Sequence, residues 1–153
     1  MHVKEYIHRG ADRVVSASLR SEVKTILHKT GYKPNSRKKQ LRHDILNQLK
    51  NFGWSEPVRI HDVSRISVTS MKDQTALCFQ TGNMGRFYAD LLKLETLFRN
   101  RRIKAAIYVI PIKQLAVELG SNIANFERFV EELNIFNVTL TIPMLVLGIE
   151  SGG

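Results

Sequence analysis

Thr75, Ala76, Leu77, Cys78 and Phe79 form an unbroken, mostly apolar run, and Gln80, Thr81, Gly82 and Asn83 follow it at once. A run of that length, bounded by Gly and Asn, predicts a buried strand. Phe87, Leu91, Leu94 and Leu97 then recur at helical spacing, predicting a helix over residues 85–100 with one buried stripe. A strand that is apolar throughout is covered on both faces. The strand and its helix therefore commit the chain to a layered α/β fold.

The rest of the chain supplies the other layers. Residues 105–110 are a second continuous apolar run, ended by Pro111, and residues 143–148 read as a last buried strand. Residues 58–61 and 65–69 are shorter strand candidates, with Ile66 and Val68 on one face. Residues 70–74 read as the turn joining 65–69 to 74–79 in an antiparallel hairpin. Residues 3–7 suit a strand or an extended arm. Helical patterning runs over 11–29 with a break near 16–18, and Val23, Ile26 and Leu27 share a face. Residues 31–35 form a Gly-, Pro- and Asn-rich turn, and Ser36 is the expected N-cap of the next helix.

In that helix Leu41, Ile45, Leu46, Leu49 and Phe52 make one stripe. Gly53 ends it, and Trp54 is expected to anchor it against the sheet. Two short helices, 113–119 and 124–133, flank Gly120, Ser121 and Asn122. Residues 135–142 read as core, with an edge strand or interface as the alternative. The expectation is a mixed central sheet flanked by helices on both faces, one domain over residues 1–149 and a frayed tail at 150–153.

Composition narrows the function. The 153 residues are 43% hydrophobic and 24% charged, as suits one core and no disorder. No apolar run reaches membrane-spanning length, and the first residues lack the apolar stretch of a signal peptide. A cytoplasmic protein with no membrane partner is expected. The single cysteine, Cys78, cannot form an internal disulfide, and five scattered histidines show no metal-ligand spacing.

The formal net charge of +9 favours a polyanionic partner. Two basic clusters carry much of it. Arg99, Arg101, Arg102 and Lys104 follow a predicted helix, where cations complement the dipole. Lys33, Arg37, Lys38, Lys39 and Arg42 surround a predicted helix start, where the dipole disfavours cations. An anionic ligand explains the second placement.

Several segments, in order, resemble the BglII-type restriction endonucleases of the PD-(D/E)xK superfamily. Residues 6–11, and residues 36–54 ending in Gly53 and Trp54, resemble that family's N-terminal part. Gln80, Gly82 and Asn83 with residues 88–93 resemble the end of its catalytic strand and the following helix. Residues 108–111 with Lys113 and Leu115, residues 120–127, and residues 143–148 resemble its later segments.

The resemblance implies a restriction-endonuclease-like fold and Mg²⁺-dependent hydrolysis of DNA. In the family two carboxylates hold the ion, and a Gln or Lys lies beside them. Here Gln80 is kept, but the acid positions fall near Thr69 and at Cys78. A hydroxyl and a thiol make poor Mg²⁺ ligands. The reading that follows is a DNA-binding protein with a degenerate site and no cofactor. It would act as a subunit or regulator in a defence or mobile-element system. Lys33, Arg37, Lys38, Lys39, Asn83 and Arg86 are the expected contacts to double-stranded DNA, and a homodimer or a complex with another protein is expected.

The alternative is an active Mg²⁺-dependent endonuclease with a shifted site. In that case Asp73 or Asp62 would hold the metal beside Gln80, and the helical carboxylates Glu22 and Asp90 could come within reach. A nucleophilic role for Cys78 has little support, because its neighbours are Leu77 and Phe79 and no histidine lies near it in sequence.

Overall fold

The computed structural model describes residues 1–33 and 37–152. Its centre is strand β6 (Ala105–Pro111), every residue of which is buried. On one side β6 pairs in parallel with β5 (Thr75–Phe79), and on the other with β7 (Met144–Glu150). At the two edges, β1 (His2–His8) runs antiparallel to β7, and β4 (Ser70–Lys72) antiparallel to β5. The order is β1-β7-β6-β5-β4, a mixed sheet as expected.

Side chains alternate across this sheet and split the core in two. Leu77, Phe79, Ile107, Val109, Leu145 and Leu147 face a layer built on α1 (Ala11–Val14), α2 (Ala17–Lys29), α3 (Lys38–Asn51) and α5 (Lys113–Leu119). Cys78, Ala106, Tyr108, Ile110, Met144 and Val146 face α4 (Met84–Arg99) and α6 (Phe126–Ile135). Each fully buried Leu, Ile or Val contributes about 1.5–3 kcal/mol of transfer free energy. The central strands are therefore the most strongly held part of the chain.

The helical stripes dock as their spacing requires. Val23, Ile26 and Leu27 of α2 meet Leu41, Ile45 and Leu49 of α3 in one cluster. Ser16 caps α2 by accepting the Leu19 N–H at 3.1 Å, at the expected break between α1 and α2. Gly53, at φ +87°, lets the chain leave α3 in the left-handed region. Trp54 is buried beside it, and its Nε1–H donates to Glu22 Oε2 at 2.9 Å. Arg37 occupies the cap position of α3, while Ser36 lies outside the described residues.

The hairpin differs from expectation. Residues 70–72, expected as a turn, are strand β4, and the turn is only Asp73 and Gln74, both left-handed (φ 49° and 57°). That is the primed two-residue geometry of tight hairpins, here built without the usual glycine. Ser70 is held in place by donating to the Ser55 carbonyl at 2.6 Å. Ser67 and Val68 (β3) pair instead with Val58 and Arg59 (β2), in a separate small sheet.

Residues 135–142 hold no described strand. Ile135, Phe136 and Val138 are exposed, and only Leu140 and Ile142 are core. Glu95 fixes this segment by accepting the N–H groups of Thr141 (2.9 Å) and Ile142 (3.0 Å). Glu150, expected in a frayed tail, instead ends β7 opposite His2.

Candidate nucleic-acid interface

β5 ends at Phe79, and the chain turns through Gln80, Thr81 and Gly82 into α4. Asn83 caps that helix by accepting the Arg86 N–H at 3.3 Å. The first turn of α3 opens on the same space, with no side-chain cap at Arg37. A cavity of about 820 Å³ lies there. Its walls are Lys38, Lys39 and Arg42 of α3, Asn83, Arg86, Ala89, Asp90 and Lys93 of the α4 segment, Phe79, Gln80, Thr81 and Gly82 after β5, Pro57, Ser67, Val68 and Thr69, and Ser121 with Ile123.

Five cations and one carboxylate line this space. Two helix N-termini add partial positive charge and free N–H groups. Among the described residues, no ion pair engages Lys38, Lys39, Arg42 or Arg86. Arg42 donates to the Phe79 carbonyl at 2.8 Å and lies 5.9 Å from the Phe79 ring centre, so a neutral contact positions it and leaves its charge uncompensated.

The one carboxylate is heavily engaged. Asp90 is 7% exposed; its Oδ2 accepts from Gln80 Nε2 at 2.6 Å and from the Tyr108 hydroxyl at 2.7 Å, and its Oδ1 faces Lys93 Nζ at 3.3 Å. Burial first, then the Asp90 charge, push the Tyr108 hydroxyl well above its ordinary pKa, so it remains a donor. Gln80 Oε1 accepts the Gly82 N–H at 2.8 Å. Both ends of that amide are thus committed. A Cβ on Gly82 would lie 2.6 Å from Arg86 Cδ and 2.8 Å from Gln80 Oε1, so these two side chains would have to shift to admit one.

Of the residues expected from sequence, Thr69, Gln80, Lys38, Lys39, Asn83 and Arg86 line the cavity. Thr69 Oγ1 accepts the Phe79 N–H at 3.2 Å. Cys78 lies in the α4–α6 layer, buried, with its thiol pushed up by burial first and by the Asp90 charge second. Arg37 borders a shallow depression with Lys39, Gln40 and His43, and Lys33 is exposed outside the cavity.

Asp73 does not meet Gln80. Asp73 sits in the turn before β5, and the length of that strand puts Gln80 roughly 20 Å away at 3.3 Å per residue. There Lys104 N–H donates to the Gln74 carbonyl at 2.9 Å. Asp62 lies exposed in the β2–β3 loop and does not line the cavity. Glu22 is held away from it by Lys72 (2.8 Å) and Trp54. The second basic cluster lies toward the Asp73 end: Arg99 pairs with Glu95, and Arg102 donates to the Arg59 and Ile60 carbonyls.

Lys93 escaped the sequence reading as a charged site member, and Asp90 entered it only as a carboxylate that could come within reach. Arg86, Asp90 and Lys93 share one face of α4 at positions i, i+4 and i+7, a periodicity hidden by the stronger apolar stripe.

The family described as restriction endonuclease BglII/BglIII matches residues 3–149. The fold is similar to that of restriction endonuclease BglII complexed with a DNA 16-mer, with a TM-score of 0.84 and 14% identity, covering 99% of this chain and 79% of that one. It is also similar to free BglII, with a TM-score of 0.76 and 15% identity, covering 99% and 81%. No curated protein matches the chain. With a match over nearly its whole length, on a fold of that kind, the chain belongs to the BglII/BglIII restriction endonuclease family.

Proposed function

We propose that this chain binds double-stranded DNA through the cavity between α3 and α4 and does so without a metal ion, as a catalytically impaired member of its family. The observation that carries this reading is the charge of the cavity: Lys38, Lys39, Arg42, Arg86 and Lys93 against Asp90 alone. Such a surface attracts phosphate and repels a divalent cation.

The donor set does not fit Mg²⁺, which prefers several anionic or neutral oxygens in octahedral array. The hydroxyl of Thr69 accepts a backbone N–H, the Cys78 thiol is buried and held protonated, and Asp90 is shared among Gln80, Tyr108 and Lys93. Among the described residues, no group of three or more His, Cys, Asp or Glu side chains is placed to hold an ion. Replacing two acids removes two negative charges, and the missing ion removes two positive ones. On that reading the loss of the acids offsets the loss of the ion, and the five lining cations attract phosphate with no ion.

The protein acts in the cytoplasm, with its DNA, as a subunit or regulator. No described helix is long and apolar enough to cross a membrane. The proposed assembly is a homodimer or a complex with another protein, and exposed Leu92 beside Tyr88 and Phe136 offers an apolar surface for it. Sedimentation across a concentration series tests that association.

Plasmid incubated with the protein and Mg²⁺ or Mn²⁺ tests the impairment. The expected result is no nicking or linearisation above a no-protein control. Metal-dependent cutting that is lost in Gln80→Ala or Asp90→Ala would establish the active alternative.

A further inference from the structure

We propose that the β2–β3 hairpin enters the major groove of the duplex whose backbone occupies the cavity, and that Val63, Arg65 and Ile66 contact base edges there. The proposal rests on the DNA-binding reading and adds the element that meets the bases.

The base of the hairpin is part of the cavity wall, through Pro57, Ser67 and Val68. Its inner face is fixed: Val68 is buried, and Val58 and Ile60 pack against the α4–α6 core. Arg102 donates to both the Arg59 and Ile60 carbonyls at 3.1 Å, and Ile60 N–H donates to the Ile66 carbonyl at 3.0 Å, closing the loop. The tip is thus presented on a braced support.

What it presents is unusual for a solvated loop. Val63 is 87% exposed and Ile66 is 49% exposed, flanked by exposed Arg59, His61 and Arg65 against one acid, Asp62. Apolar groups flanked by arginines suit a surface that is both anionic and, in places, apolar. The major groove is such a surface, with phosphates at its rim and thymine methyls on its floor. A two-stranded ribbon fits its width of about 12 Å. Fully extended, the chain from Val63 to Ser67 spans at most about 14 Å, which bounds how far the tip lies from the cavity wall.

The test uses a 16-bp duplex and its counterpart with every thymine replaced by uracil, which removes the methyls alone. Binding is followed by fluorescence anisotropy in EDTA at low salt, for the native protein and a V63A/R65A/I66A variant whose thermal melt is checked first. The native protein is expected to bind the uracil duplex about three- to tenfold more weakly. The variant is expected to bind about tenfold more weakly than native and to show no difference between the duplexes. A native protein indifferent to uracil, or a folded variant that binds as tightly as native, overturns the proposal while DNA binding stands. No binding of either duplex by the native protein overturns the DNA-binding reading, and the hairpin's role falls with it.

Discussion

Gln80 is locked to Asp90: its Nε2 donates to Asp90 Oδ2 at 2.6 Å while its Oε1 accepts the Gly82 N–H at 2.8 Å. The residue that most strengthens the family resemblance is therefore bound into the protein's own network. The same carboxylate receives the buried Tyr108 hydroxyl at 2.7 Å. Asp90→Asn removes the charge that these donors face, and among the described residues it removes the only carboxylate lining the cavity. Stability is expected to fall by about 1–3 kcal/mol in urea unfolding. Duplex affinity at low salt is expected to rise severalfold over the same substitution, since phosphate no longer meets an anion.

Lys38 and Lys39 line the cavity from the first turn of α3, and both are exposed. Their double replacement by alanine is expected to leave the melting temperature within a few degrees of native. Each lost phosphate contact reduces the slope of log K against log salt by about 0.9, so the pair should reduce it by about 1.8.

His8 and Glu95 predict how stability depends on pH. His8 is buried with its Nε2 2.8 Å from the Leu140 carbonyl, and burial chiefly depresses its pKa. Between the unfolded value of 6.5 and the lower folded value, the unfolded state holds more protons. Stability from this group is complete above pH 6.5 and declines as pH falls below it. His8→Gln should flatten that part of the profile in urea melts between pH 8 and 5.

Burial raises the pKa of Glu95, but the Thr141 hydroxyl, the N–H groups of Thr141 and Ile142, and Arg99 outweigh it, for a net lowering. Its contribution is present above the unfolded value of 4.5 and is lost as pH falls through the lower folded value. Glu95→Gln should therefore remove a second, more acidic decline.

Cys78 is 2% exposed, and its thiol is pushed up by burial. Little thiolate forms near neutral pH, so an aromatic disulfide reagent should leave the native protein unmodified at pH 8. Modification should go to completion in denaturant. Fast reaction of the native protein would place the thiol at the surface.

The sheet was legible because its central strands are continuous apolar runs, a pattern that only two-sided burial accommodates. The α4 stripe was legible through Phe87, Leu91, Leu94 and Leu97, which all proved buried. The hairpin register was not. Its turn uses Asp73 and Gln74 in left-handed geometry, without the glycine that marks such turns, and Ser70 is held by a tertiary bond to Ser55. Asp73 is a turn residue in either register, so it stays at the opposite end of β5 from Gln80. The basic cluster at the start of α3 was visible as a local excess of charge, whereas Lys93 joins the cavity only once α4 is laid beside β3 and the start of α3.

The most direct measurement is the affinity for a 16-bp duplex across a salt series, once in EDTA and once in Mg²⁺ at matched ionic strength. Metal-independent phosphate binding predicts steeply salt-dependent affinity in EDTA and equal or weaker affinity in Mg²⁺, which competes for the same phosphates. Binding that appears, or tightens at least tenfold, only when Mg²⁺ is present would contradict it.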